Sequence, residues 1–160
     1  MSVRIDSLNN VPEHVERLAR WHHSEWGELM APWSLDDARR ELQAHLDGEF
    51  PATFVALSDS NELLGSASLI AEDAPELNEY GPWLASVIVQ PAWRGRGLGR
   101  RLIEAVIERA RLCHFEKLYL FTDGSGRLYE SLGWEPLERR VLPGAAVAIM
   151  VKPRWAVEVG

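Results

Sequence analysis

Three glycines within five residues, Gly95, Gly97 and Gly99, stand among Arg94, Arg96, Arg100 and Arg101. Glycine removes the side chain and lets backbone N–H groups approach a ligand closely. Downstream, Leu98, Leu102, Ile103, Val106, Ile107 and Ala110 keep helical spacing, so the glycines sit at a helix entrance. The first N–H groups of a helix have no intrahelical partner, and that end carries roughly half a positive charge. Arginines around such an entrance make it a site for phosphate. Upstream, Trp83 to Val89 is apolar and partly β-branched, which predicts a strand, and Pro91 ends it because proline cannot donate to a ladder.

Three phosphate-loop patterns compete for this stretch. A P-loop needs Gly-Lys-Ser/Thr, where this chain has Gly99-Arg100-Arg101. A dinucleotide fingerprint needs Gly-x-Gly-x-x-Gly, and Arg100 stands where its third glycine belongs. Arg94-x-x-Gly97-x-Gly99 resembles the Gln/Arg-x-x-Gly-x-Gly/Ala signature of the GNAT (GCN5-related N-acetyltransferase) family. A second segment, Leu128-Tyr129-Glu130-Ser131-Leu132-Gly133-Trp134, resembles that family's Tyr-x-x-x-Gly-Phe landmark.

The resemblance implies acetyl-CoA as co-substrate, with no metal. Arg94, Gly95, Arg96, Gly97, Leu98, Gly99 and Arg100 would surround its pyrophosphate, and the backbone of Val87, Ile88 and Val89 its pantetheine arm. It also places the Tyr129 hydroxyl near the coenzyme sulfur. A phenol of pKa about 10 can protonate a thiolate whose conjugate acid is near 8.5. The plainer alternatives are that the strand is core and that Tyr129 only packs.

Acyl transfer to an amine also requires that an ammonium of pKa about 10.4 lose its proton. Many relatives carry a glutamate on the central strand, but Trp83 to Val89 contains no carboxylate, and Ser86 is no base. Glu79, just upstream, is the first candidate, with Glu72, Asp73, His22 and a water relay as alternatives. Trp26, Trp33, Tyr80 and Trp83 fall in segments that border the family's acceptor pocket. Aromatics with carboxylates suit a cationic amine.

These groups need a scaffold. Alternation predicts a strand at Val3 to Leu8, and Thr53 to Leu57, Leu63 to Ile70, Trp83 to Val89, Lys117 to Phe121, Trp134 to Val141 and Ala145 to Val151 also read as strands, the second and third joined by the hairpin chemistry of Ser58 to Glu62. Helical spacing marks Glu13 to Leu29, Leu35 to Leu46, the helix after the glycines to about Cys113, and Ser125 to Leu132. Ser34 with Asp37 reads as a capping box, and Gly48 as that helix's terminating residue. His114 stands where a left-handed residue follows a helix, and Pro143-Gly144 joins the last strands. The order β-α-α-β-β-β-α-β-α-β-β gives a mixed α/β fold. Its expected form is a mostly antiparallel sheet of six or seven strands with about four helices, the acyl-CoA N-acyltransferase fold of the GNAT family.

At 160 residues, 1–160 is expected to form one domain. A net charge of −7 excludes a general nucleic-acid binder, and no segment is apolar enough for a signal or a membrane span. The single cysteine, Cys113, suits a reducing, cytoplasmic setting. The expected activity is acetyl transfer to a primary amine of a small, cationic molecule, by a monomer or homodimer. Acetylation of a peptide or protein amine, or a non-catalytic acyl-CoA-binding module, are the alternatives.

Overall fold

The computed structural model describes residues 2–28, 32–72, 75–122, 124, 126–142 and 145–152. β1 (Val3–Ser7) leads through 3-10 turns into α1 (Val15–Trp26) and α2 (Leu35–Ala44). The hairpin β2 (Ala52–Ser58) and β3 (Leu63–Ile70) comes next, then β4 (Trp83–Val89), α3 (Leu98–Leu112) and β5 (Leu118–Thr122). The chain closes with α4 (Arg127–Ser131), β6 (Glu135–Leu142) and β7 (Ala145–Lys152). The expected element order and mixed fold are thus observed. Leu29, Asp73, Ser125 and Pro143-Gly144, named above, lie outside the described residues.

The seven strands form one sheet in the order β1-β2-β3-β4-β5-β7-β6. Every neighbouring pair is antiparallel except β4 and β5. Both faces of the central strands are covered, so β2 is buried along its whole length. Phe54 and Ala56 pack with Leu102, Ile103 and Val106 of α3, while Val55 and Leu57 pack with Leu18, Ala19 and Leu42 of α1 and α2. This is the two-residue period of a strand. The same period turns Thr53, Ser66 and Ser68 away from the α3 side, where Ala67 and Leu69 pack.

The helix boundaries obey local chemistry. The Ser34–Asp37 capping box is present, with Asp37 N–H donating to Ser34 Oγ at 3.0 Å and Ser34 N–H to the Asp37 carboxylate at 2.9 Å. α2 ends at His45, before the expected Gly48, whose φ of +80° serves the next turn. His114 adopts the expected left-handed conformation.

Ser86 has a φ of +57° in the middle of β4. There the register against β3 shifts, from Ser68↔Ala85 to Ser66↔Ile88, so two β4 residues oppose Ala67. This is a β-bulge, which bends a strand and re-aims the residues beyond it. Burial falls at the same point, complete through Ala85 and partial from Ser86 on. A left-handed L-residue costs roughly 1–2 kcal/mol. Ser86→Gly is therefore expected to hold or raise the unfolding free energy by up to about 1 kcal/mol, and the β-branched Ser86→Val to lower it by about 1–2 kcal/mol. Denaturant midpoints measure both; identical midpoints would show that the bulge carries no strain.

Candidate active site

β4 and β5 run parallel and share the register pair Trp83↔Tyr119, reinforced by Tyr119 N–H donating to Pro82 O at 3.0 Å. Both residues stand at the start of their strands, so the pair is joined at that end. Leu84 to Val87 of β4 and Leu120 to Thr122 of β5 line one cavity of about 960 Å³. Openings of this kind at the carboxyl ends of parallel strands are where α/β sheets bind ligands.

Beyond Gln90 the chain turns into the glycine loop, with Gln90 N–H held by Leu64 O at 2.8 Å. Gly95 and Gly97 have φ of +78° and +79°, and a Cβ on either would meet nothing within 4 Å. Glycine is used here for backbone conformation and an open surface, not for internal packing. Gly97 is the N-cap of α3, no side chain caps it, and the first turn holds no acid. Arg101 N–H donates back to Gly97 O at 3.1 Å, which leaves the amides of Leu98, Gly99 and Arg100 without helical acceptors. The Arg96 guanidinium lies 4.7 Å from the Trp93 ring centre, and Arg94 Nε donates to Val89 O at 3.1 Å. Both arginines thereby stay beside the entrance. Nothing in this loop clashes with a pyrophosphate: it presents open donors, positive charge and no side chain on the glycines.

Tyr129 lines the cavity from α4, and its ring meets Trp134 edge-on at 6.3 Å. Burial pushes its phenol pKa upward, so it stays protonated at neutral pH.

The opposite wall comes from the first two helices. Trp26 and Trp33 line it with Glu25, Glu28 and Glu41. Trp33 is doubly held: His23 Nε2 donates to its carbonyl at 3.1 Å, and its indole N–H donates to Glu41 Oε1 at 3.0 Å. Burial raises the Glu41 carboxyl, the Trp33 hydrogen bond lowers it, and Asp37 raises it further.

Between the walls sit two neutral imidazoles. Burial pushes His22 down to about 3, helped by nearby His45, and pushes His45 down to about 4. His22 Nε2 lies 3.3 Å from Ser66 Oγ. His45 Nδ1 lies 2.7 Å from Thr53 Oγ1, which lies 2.8 Å from Ser68 Oγ. The two serines that interrupt the apolar pattern of β3 thus serve this cavity floor.

Other expected site residues are placed elsewhere. Glu79 is not among the lining residues; it pairs with Arg140, which also holds Glu138 and donates to Glu76 O at 3.0 Å. Tyr80 donates its hydroxyl to Glu138 at 2.7 Å, and Trp83 is fully buried, its indole N–H donating to Tyr80 O. Both rings join an apolar cluster with Leu77, Leu142, Val147 and Ile149. The reason is register: Trp83 stands where β4 and β5 are still paired, so its side chain fills the closed end rather than the opening. Among the described residues of that connection, Glu72 is the acid that lines the cavity. Glu25, Glu28, Glu41 and His45 are lining residues that no sequence pattern singled out; their spacing from Trp26 and Trp33 was the available signal.

The profile of the Acetyltransferase (GNAT) family matches residues 16–134. The chain belongs to this family of acetyltransferases. Among solved GNAT-like folds, the YncA protein of Salmonella typhimurium, whose structure holds its cofactor acetyl-CoA, superposes with a TM-score of 0.74 at 18% identity, over 100% of this chain and 98% of that one. An aminoglycoside 6′-acetyltransferase of type Ii gives 0.70 at 19% identity, over 96% and 97%. The NatC complex bound to Gag peptide and CoA gives 0.72 at 17% identity, over 96% and 99%. At these identities the likeness establishes the GNAT fold. No curated protein sequence matches the chain. Among the described residues, no group of three His, Cys, Asp or Glu could hold a metal, and no helix is long and apolar enough to cross a membrane.

The two imidazoles predict an acid response. Their ordinary value is 6.5, and in the folded GNAT domain they are held near 3 and 4. Between those values the unfolded chain binds more protons, so stability falls as pH drops below about 6.5 and is unaffected above it. The melting temperature is expected to decline already between pH 6.5 and 5, above the range where carboxylates titrate. A flat profile down to that range would remove the neutral, buried histidines.

Proposed function

We propose that this acetyltransferase moves the acetyl group of acetyl-CoA to the primary amine of a small cationic molecule, with 1–160 working as one domain. The observation that carries the acceptor class is the cavity lining. Glu25, Glu28, Glu41 and Glu72 face it with Trp26 and Trp33, and no lysine or arginine is among its described lining residues. Carboxylates and indole faces select cations, while the anionic coenzyme is directed to the arginine-flanked loop.

The co-substrate supplies an acetyl thioester, an electrophilic carbonyl with a thiolate leaving group. The amides of Leu98, Gly99 and Arg100 and the guanidiniums of Arg94, Arg96 and Arg100 hold its pyrophosphate at the α3 entrance. The bulge at Ser86 turns the backbone of Val87, Ile88 and Val89 toward the pantetheine. Tyr129, kept protonated by burial, donates its hydroxyl proton to the departing sulfur. Glu72 takes the role expected of Glu79, accepting the ammonium proton directly or through water. Glu79 is engaged with Arg140 and acts on the cavity only through the position of its loop.

Release of coenzyme A thiol against a panel of amines and short peptides tests the acceptor class. Cationic small amines are expected to give the highest kcat/KM, with acceptor KM rising as salt screens the carboxylates. A preferred acceptor that is neutral, acidic or a peptide would overturn the reading. For the catalytic groups, Tyr129→Phe and Glu72→Gln are each expected to lower kcat by about 10²-fold, with modest change in acceptor KM. Unchanged kcat in either, with chemistry rate-limiting, would return that residue to packing or solvation.

A further inference from the structure

Two histidines of the cavity have no task in the steps above. His22, only 4% exposed, and His45 both line it, and each spends one ring nitrogen inside the protein. His22 Nε2 meets Ser66 Oγ, and His45 Nδ1 meets Thr53 Oγ1, which Ser68 Oγ backs in turn. Their second nitrogens, His22 Nδ1 and His45 Nε2, have no hydrogen-bond partner among the described residues. Nor are they sealed away, since the sealed, unpartnered side-chain nitrogens among those residues belong to His14 and Trp134. A hydrogen-bonding nitrogen that a buried ring turns to a cavity is a recognition group.

The floor adjoins the proposed chemistry. Ser66 is paired with Ile88 and Ser68 with Ala85, so the two serines flank the part of β3 that opposes the bulge at Ser86. Neighbouring strands lie about 4.8 Å apart. A group seated on the histidines is therefore within a few bonds of a nitrogen reacting at the strand wall.

What this floor can bind follows from counting protons. Burial holds both rings neutral, so each carries one N–H and one lone pair. Rings held near 3 and 4 do not take up the amine's proton at neutral pH, so their part is binding. Each inner nitrogen stands opposite a hydroxyl, which donates or accepts by rotating. When Ser66 donates to His22 Nε2, Nδ1 carries the ring hydrogen and is a donor. When Ser66 accepts, Nδ1 is an acceptor. The Thr53–Ser68 pair gives His45 Nε2 the same choice. The floor can thus offer one donor and one acceptor together, without charge. An ammonium only donates and a carboxylate only accepts, whereas a hydroxyl does both.

We infer that the acceptor is an amino alcohol, its hydroxyl received by the His22–His45 floor while its amine is acetylated at the strand wall. This rests on the reading above that the acceptor is a small cationic amine.

The test measures thiol release by the whole chain with three series of amines. These are amino alcohols from ethanolamine upward, alkylamines with methyl in place of the hydroxyl, and the O-methyl ethers of the alcohols. The ethers keep the oxygen's inductive effect on the amine but cannot donate a hydrogen bond. At the best length the alcohol is expected to exceed both analogues in kcat/KM by about tenfold or more. His22→Phe, and Ser68→Ala as the smaller change, should each bring that ratio toward one. Equal kcat/KM for alcohol and alkylamine at every length would overturn the hydroxyl subsite and leave the cationic-amine reading standing. Ethers as good as the alcohols would overturn the pairing of donor with acceptor. A preference for the alcohol undiminished in the folded variants would overturn the assignment to these residues. Turnover confined to neutral or peptide acceptors would overturn both readings.

Discussion

The structure depends on one incomplete pairing. β4 and β5 are the parallel neighbours in an otherwise antiparallel sheet, and they share a register pair only at Trp83↔Tyr119. A continuous ladder would have closed the sheet and left no cleft. Trp83, Tyr119, Phe121 and Tyr80 pack together just where the strands are joined, with ring centres 5.0–6.3 Å apart. This aromatic group closes one end of the pair, and the bulge at Ser86 turns β4 beyond it. Backbone groups that a full ladder would have used are then available at the cavity, and the same strand leads on to a helix entrance that no side chain caps.

Electrostatics divide the same cavity. Its inner histidines are neutral because burial disfavours their charged form, and hydroxyls of Thr53, Ser66 and Ser68 hold or surround them. Such a floor is polar without being charged. Among the described residues, Glu25, Glu28 and Glu41 on the helical wall form no ion pair, whereas Glu16, Asp36 and Asp37 on the outer faces of α1 and α2 are paired with arginines three or four residues away. Short-range pairing on a helix face is a matter of local sequence. Pairing in the cavity is left to whatever enters it.

Much of the fold was legible because its signals are local. The turn residues between the runs of β2 and β3, the Ser34–Asp37 box, the Pro91 stop and the glycine run each act within a few residues, and each element stands where they put it. The glycine loop proposed to hold the coenzyme shared that advantage, since one contiguous segment forms it. The acceptor side did not. Its members come from α1, Trp33, α2 and the end of β3, and only the folded sheet says which side chains point inward. Trp26 and Trp33 could be chosen by type, but Tyr80 and Trp83 look the same in sequence and pack into an apolar cluster instead of lining the cavity. Glu79 and Glu72 differ by less than two helical turns of chain, yet an arginine on β6, sixty residues on, holds one and not the other.

The two walls have separate structural ancestry within the chain. The proposed donor side is made of β4, β5 and α3, whose side chains pack into two apolar clusters. The acceptor side is a helix pair resting on β2 and β3 through its own smaller cluster, with its charged residues on the rim. A change at Glu25 or Glu28 therefore touches no residue of that cluster, whereas one at Glu41 releases the indole of Trp33, which packs against it. On the proposed reading, acceptor choice can drift by substitutions along this helix pair while the glycine loop and its strands stay intact, so a chain of this build could exchange one acceptor for another without refounding its fold.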